Sequence, residues 1–370
     1  NAYKMVFEQV VLVMVQARYI VASYNVGPDF IGRMLLLDLL FNKKYKYIHH
    51  RFVIPNLPAP LHYFNFFSMI GQPNVPMLCN PDAIHTDALD TATVICSTSP
   101  HMVGQLNHYS IQNECRFESC NFNFHTREQL SSIFPEFHFT RQDDELSVDL
   151  KIRAIELITH FTQLRFSLAD YWSIPCWCEG VIQYKDQQYQ IESLGSFEYA
   201  RSFKFPYLPF AFLTYQMINL SQNRQIILVQ VRDSFNKIIQ SRIYYKDLES
   251  QQTQMLDEKV IFKVHRVYPS VTTPNGQKMY LPREFEWHCE NKDGIQISIQ
   301  GQSRGDFKFG LGAGYVGSFS YQVKINDQEE NGEGGYIEYI DCRALRFQEL
   351  SKEEKILSNV PDSVPFLVKR

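Results

Sequence analysis

The sequence predicts a mainly β protein made of two related, antiparallel barrel-like halves behind an N-terminal helical lead. Three observations point there: a heavy aromatic content, a series of hairpins marked by tight-turn residues, and an internal repeat with the period of a domain. Phe (28) and Tyr (21) dominate the 14% aromatic fraction. Such side chains favour strands and supply large areas for a core or a ligand cavity. With 370 residues, 45% hydrophobic and 21% charged, the chain can bury enough apolar area for two domains.

The lead comes first. Residues 5–24 show no alternation and set Glu8, Gln9, Gln16 and Arg18 among Val, Leu and Met, the pattern of a helix with a narrow polar stripe. Gly27-Pro28 ends it, and Asp29 is placed to cap a second helix through residues 35–41. Lys43, Lys44, Lys46, His49, His50 and Arg51 follow. Two readings stand. The helices pack on the barrels, as most amphipathic helices cover a core, or residues 5–51 make peripheral contact with an anionic membrane surface. No continuous apolar run of about 18 residues occurs, so a spanning helix is not expected. The expected location is cytoplasmic, with membrane-peripheral as the variant. The first residues are Asn-Ala without Met, which leaves a removed targeting segment open.

From about residue 90 onward, short apolar runs separated by turn signals predict strands, as at 91–97, 137–140 and 146–155. No βαβ rhythm is visible. Three hairpins follow, 181–184 with 189–192, 225–231 with 237–244, and 285–289 with 295–299. Their turns carry Lys185-Asp186, Asp233 to Asn236, and Asp293-Gly294, residue types that tolerate tight reversal.

The repeat is the most specific signal. Gly180-Val-Ile-Gln-Tyr184 leads to Gly195-Ser-Phe-Glu198-Tyr199, and Gly317-Ser-Phe-Ser-Tyr321 leads to Gly335-Tyr-Ile-Glu338-Tyr339. Glu198 and Glu338 lie 140 positions apart, so the period is a domain. In each copy Glu198 or Glu338 takes one face of a strand and its flanking aromatic or aliphatic residues the other, giving one candidate inward carboxylate per half. The expected organisation is a lead over 1–46, a first domain over 47–204, a second over 205–347 and a tail over 348–370.

These residues resemble the AttH-like family of tandem lipocalin-like (calycin-type) barrels, which includes carotenoid hydratases, tocopherol cyclases and some Diels-Alder-type cyclases. The second half carries the likeness in order: the turn Val231-Arg232-Asp233 to Lys237, Pro274-Asn275-Gly276 to Tyr280-Leu281-Pro282, the strand Phe285-Glu286-Trp287, and the Gly-rich hairpin at 332–339. The first half supplies Trp172, Trp177 and Glu179-Gly180. The likeness covers residues 90–345. One departure stands out: the family's aromatic-Glu-Gly becomes Tyr315-Val316-Gly317, so the acid at that place is missing.

The resemblance implies an apolar ligand, isoprenoid, steroid or lipid-like, in an internal cavity, with acid-assisted hydration or cyclisation. The alternative is a non-catalytic lipid carrier or a membrane-surface interaction protein. Hydration or cyclisation needs a carboxylic acid kept protonated by an apolar pocket, with aromatic faces to stabilise a cation. Glu198, Glu338 and Glu179 are the candidate acids. Trp172, Trp177, Tyr199, Tyr336 and Tyr339 are candidate lining residues, and Arg201 and Arg343 could orient a carboxylate. A plainer reading pairs Glu198 with Arg201 and Glu338 with Arg343 as structural links, and makes the aromatic residues ordinary core. Residues 203–217 form either a greasy portal or a crossover packed between the domains.

Other chemistries find no support. The net charge of −4 offers no basic face for nucleic acid. Eight Cys are too sparse for a disulfide scaffold. Cys176-x-Cys178, Cys115 with Cys120, and His288-Cys289 do not complete a zinc set, so no metal is expected. Ser318 lacks the glycines of a nucleophile elbow, and Gly310-Leu-Gly312-Ala-Gly314 lacks the βαβ context of a phosphate loop. No cofactor is expected.

Overall fold

The computed structural model describes residues 42–343, apart from 85, 101–105, 164–168, 205–206, 222 and 293. Residues 1–41 of the expected lead and the tail from 348 lie outside them. Strands form almost everything described. The two helical pieces among the described residues are single turns, Pro81–Ala83 and Ile111–Glu114. No helix among these residues is long and apolar enough to cross a membrane.

Two tandem lipocalin-like antiparallel halves are built by the same path, the first a nearly closed barrel and the second a half-barrel. Each begins with an opening strand that starts a four-strand meander. The rest of the chain then returns so that a closing strand lies beside the opening one. In the first half the opening strand is Tyr47–Pro55 and the closing strand Gln187–Ser202. In the second they are Phe210–Leu220 and Gln328–Asp341. The three expected hairpins form, and their turns place Lys185, Asn236 and Gly294 at positive φ, where glycine and asparagine are least strained.

The glycines of the repeat mark close approach. A Cβ on Gly195 would stand 2.7 Å from the Val53 carbonyl oxygen and 2.9 Å from Cys178 Sγ. One on Gly335 would stand 2.5 Å from the Phe319 ring.

Each half has its own apolar core, and a third cluster fills the seam between them. Alternation divides the residues. On Gln187–Ser202, Phe197 and Tyr199 face the first barrel's core, and on Gln328–Asp341, Ile337 and Tyr339 face the second's. Val53, Tyr63, Tyr215, Val316, Tyr336 and Ile340 pack in the seam.

Strands begin well before residue 90. Tyr47–Pro55 and Tyr63–Ile70 are almost wholly buried, pressed between the first core and the seam. With both faces apolar they show no period of two, so the sequence signal that marks half-exposed strands is missing. His50 (0% exposed) and Arg51 (2%) of the basic run are inside the protein. The crossover segment 203–217 is in large part the opening strand of the second half, packed against the seam.

Candidate functional site

The site starts from strand register. Arg51 lies opposite Glu198 across the opening and closing strands of the first half, and Tyr215 lies opposite Glu338 in the second. All four point away from the barrel cores, because their neighbours Phe52, Phe197, Ile337 and Tyr339 take the inward places. Packing the halves face to face therefore brings both carboxylates onto one guanidinium. Arg51 Nη2 donates to Glu198 Oε2 and Nη1 donates to Glu338 Oε2. Arg51 Nη2 also donates to the Tyr171 hydroxyl at 2.8 Å.

Three tyrosines complete the network. Tyr171 donates to Glu198 Oε2 at 2.6 Å, Tyr215 to Glu198 Oε1 at 2.5 Å, and Tyr336 to Glu338 Oε1 at 2.8 Å. The guanidinium carbon sits 3.7 Å above the Tyr215 ring, a cation over an aromatic face. Burial would by itself weaken Arg51's hold on its proton, but Glu198 and Glu338 outweigh it and raise the pKa well above the ordinary value. Burial pushes the Glu338 carboxyl up, with Arg51 opposing and Glu198 assisting. The trio carries two acids and one base, so one bound proton makes it neutral.

The third strand of the second half, Ile238–Asp247, adds Lys246 to the same seam. It is 0% exposed, and Nζ donates to Ser173 Oγ at 3.4 Å. Ser173 lies opposite Glu198 on the neighbouring strand and is within 2.8 Å of Ser196 Oγ. Burial pulls the Lys246 pKa down to about 8, with Glu198 and Cys176 opposing.

The candidates read from sequence fall in different places. Glu198, Glu338 and Tyr336 meet in the seam. Trp172 and Tyr199 line the first core and Tyr339 the second. Trp177 is half-buried on the outward face of its strand. Glu179 is exposed, 3.9 Å from Arg153 and apart from the network. The plain pairings do not form: Arg201 binds Asp170 at 3.2 Å and lies over Tyr45, while Arg343 binds Asp341 at 2.7 Å and lies over Phe212. In both cases the arginine and its sequence-near Glu take opposite faces of the strand or leave it. Val316, at the position of the acid missing from the AttH-like pattern, packs in the seam opposite Glu338. Two open clefts, of about 590 and about 330 Å³, lie at residues 142–144 of the first half. Among the described residues no cluster of His, Cys, Asp and Glu suits a metal ion.

A family described as "family of unknown function (DUF6670)" matches residues 67–354. The chain belongs to that family. This DUF6670 member is similar in fold to a candidate AttH from Nitrosomonas europaea, with a TM-score of 0.58 and 12% identity over 83% of this chain and 95% of that one. Kievitone hydratase from Nectria haematococca aligns with a TM-score of 0.50 and 10% identity, covering 83% and 92%. CghA aligns with a TM-score of 0.50 and 7% identity, covering 80% and 89%. Identities this low speak for the fold. No curated protein matches the DUF6670 member's sequence.

Arg51, Tyr171, Tyr215 and Lys246 were not legible as site residues. Arg51 read as one of a basic run, and Tyr215 as one aromatic among many. Lys246 shares its strand face with buried Tyr244 but also with Gln240 and Arg242, so alternation gave no signal for it.

Proposed function

We propose that the seam binds an apolar, isoprenoid- or steroid-like molecule and that Glu338 delivers a proton to it, in acid-assisted hydration or cyclisation. The observation that carries this reading is the convergence of two repeat-related carboxylates on one guanidinium in a buried, aromatic seam. A carboxyl whose pKa burial raises is the kind of acid such chemistry needs. Arg51 would hold the charge left behind, and the faces of Tyr63, Tyr336, Phe161 and Tyr171 would stabilise a developing cation. A solved neighbour of the same fold is named a hydratase, which supports the reading by analogy.

A second reading follows from saturation of the network. Both oxygens of each carboxylate already accept a hydrogen bond, as in a fastening between the halves. The protein would then be a lipid carrier or a membrane-surface interaction protein.

Native mass spectrometry and organic extraction of the purified chain test occupancy. Incubation with geranylgeraniol in D₂O then tests proton delivery. Deuterium entering the polyene with wild type and lost in Glu338→Gln supports the acid. A co-purified lipid without exchange supports the carrier. The absence of both a ligand and exchange overturns the first reading.

A further inference from the structure

Among the described residues two lysines are buried, and they are held differently. Lys308 Nζ donates to two backbone carbonyls, those of Ser99 and Asp306. Lys246, 0% exposed, makes one long hydrogen bond of 3.4 Å, to the Ser173 hydroxyl. Among the described residues no carboxylate stands at ion-pairing distance from its charge. The nearest acid, Glu198, has both oxygens taken by Arg51, Tyr171 and Tyr215. The cross-strand neighbour Gln225 gives its Nε2 to Asn219 and the Gly195 carbonyl, while its buried Oε1 makes no hydrogen bond.

A buried ammonium with no counter-ion is costly, and the amine it leaves on losing its proton is a nucleophile. Burial draws the Lys246 pKa to about 8, so a useful fraction is amine near neutral pH.

We propose that Lys246 is a carbonyl-capturing amine that condenses with an apolar, α,β-unsaturated aldehyde or ketone in the seam. The nitrogen lone pair adds to the carbonyl carbon as the C–O π bond opens. The hydroxyl then leaves as water and a C–N double bond forms. Counted from the ammonium, two protons depart in the water and one stays on the iminium, so charge and atoms balance with no outside reagent.

The iminium draws electrons from a conjugated alkene and opens its β-carbon to water or to an internal nucleophile. This names the substrate class of the proposed site and rests on that reading. The Ser173 hydroxyl, which accepts from Nζ at 3.4 Å and lies 2.8 Å from Ser196 Oγ, is placed to hold the departing water.

The full chain is incubated with citral, an apolar unsaturated aldehyde, and reduced with sodium borohydride, which converts the imine to a stable secondary amine. Peptide mapping should place one adduct per chain on Lys246, and mapping wild type requires no variant to fold. Lys246→Met should lose the adduct at least about tenfold, and Lys308→Met should retain it. Adducts spread over surface lysines with no enrichment at Lys246, or an undiminished yield in Lys246→Met, overturn the inference. The readout is independent of proton delivery: an adduct on Lys246 without deuterium exchange removes Glu338's role and leaves the amine's, and exchange without an adduct does the reverse.

Discussion

Arg51 and Tyr215 hold equivalent places in the two halves: each is on the opening strand, opposite the repeat-related glutamate of the closing strand, and the Arg51 guanidinium lies 3.7 Å over the Tyr215 ring. The duplicated architecture supplies two acids but a single base. The seam is thus asymmetric at its centre, and what it can do follows from that imbalance.

Removing Arg51 leaves two carboxylates buried without a counter-charge. Arg51→Met should cost about 3–5 kcal/mol of stability, the range for breaking a buried ion pair from one side. Adding Glu198→Gln and Glu338→Gln to it should recover much of the loss, because neutral amides no longer need the guanidinium. Urea denaturation of the single, double and triple variants measures the coupling; strictly additive losses would show that the trio does not act as a unit.

Lys246 gives stability a characteristic alkaline dependence. Its folded pKa of about 8 lies below the ordinary 10.5, so between those values the unfolded chain binds more protons and stability rises with pH. The slope for one such group approaches about 1.4 kcal/mol per pH unit. Lys308, drawn by burial to about 8 as well, contributes with the same sign. Lys246→Met should therefore raise stability at pH 7 and reduce the rise between pH 8 and 10 by about half.

His50 governs the acid side. Burial against Phe122 and Tyr199 lowers its pKa from 6.5 to about 3. Below pH 6.5 the unfolded chain takes up a proton that the folded chain refuses, so stability falls as pH drops toward 3. His50→Phe should flatten this limb. His49, lowered first by burial and then by Arg51, leaves a residual slope of the same sign. Thermal melts from pH 7 to 4 decide; an unchanged slope would mean that His50 is not the titrating group.

Gly335→Ala should destabilise by about 1–3 kcal/mol, the usual cost of overpacking, since its Cβ meets the Phe319 ring at 2.5 Å. Gly294→Ala has open space around it and should lose less, through its positive φ alone. Equal losses in chemical denaturation would contradict the steric account of the repeat's glycine.

Much of this was visible in the sequence, for identifiable reasons. The hairpins and the division of Phe197, Glu198 and Tyr199 between two faces follow from alternation and turn chemistry, which are local. Tyr47–Pro55 and Tyr63–Ile70 were not visible, because burial on both faces erases the period of two. The partner of Glu198 and Glu338 was beyond reach for another reason. Arg201 and Arg343 are near in sequence, but Arg51 is 147 and 287 residues away from the two acids, and proximity along the chain says nothing of which arginine the barrel closure brings round. Lys246 was missed because a lysine on a strand reads as solvent-facing until the opposite half is in place.

The pairing of first strand with last in each half has a kinetic meaning. Long-range closure is slow, since loop entropy is lost before the contacts that repay it appear, and domains made by the ribosome fold in order of synthesis. The first half can close once Glu198 has emerged, giving Arg51 one partner. Its second acid comes only with the last strand of the second half. Until then Arg51 is paired with Glu198 alone, and the hydrogen bonds of its other guanidinium nitrogen wait for Glu338. The network at the seam is therefore complete only when the last strand of the second half is in place.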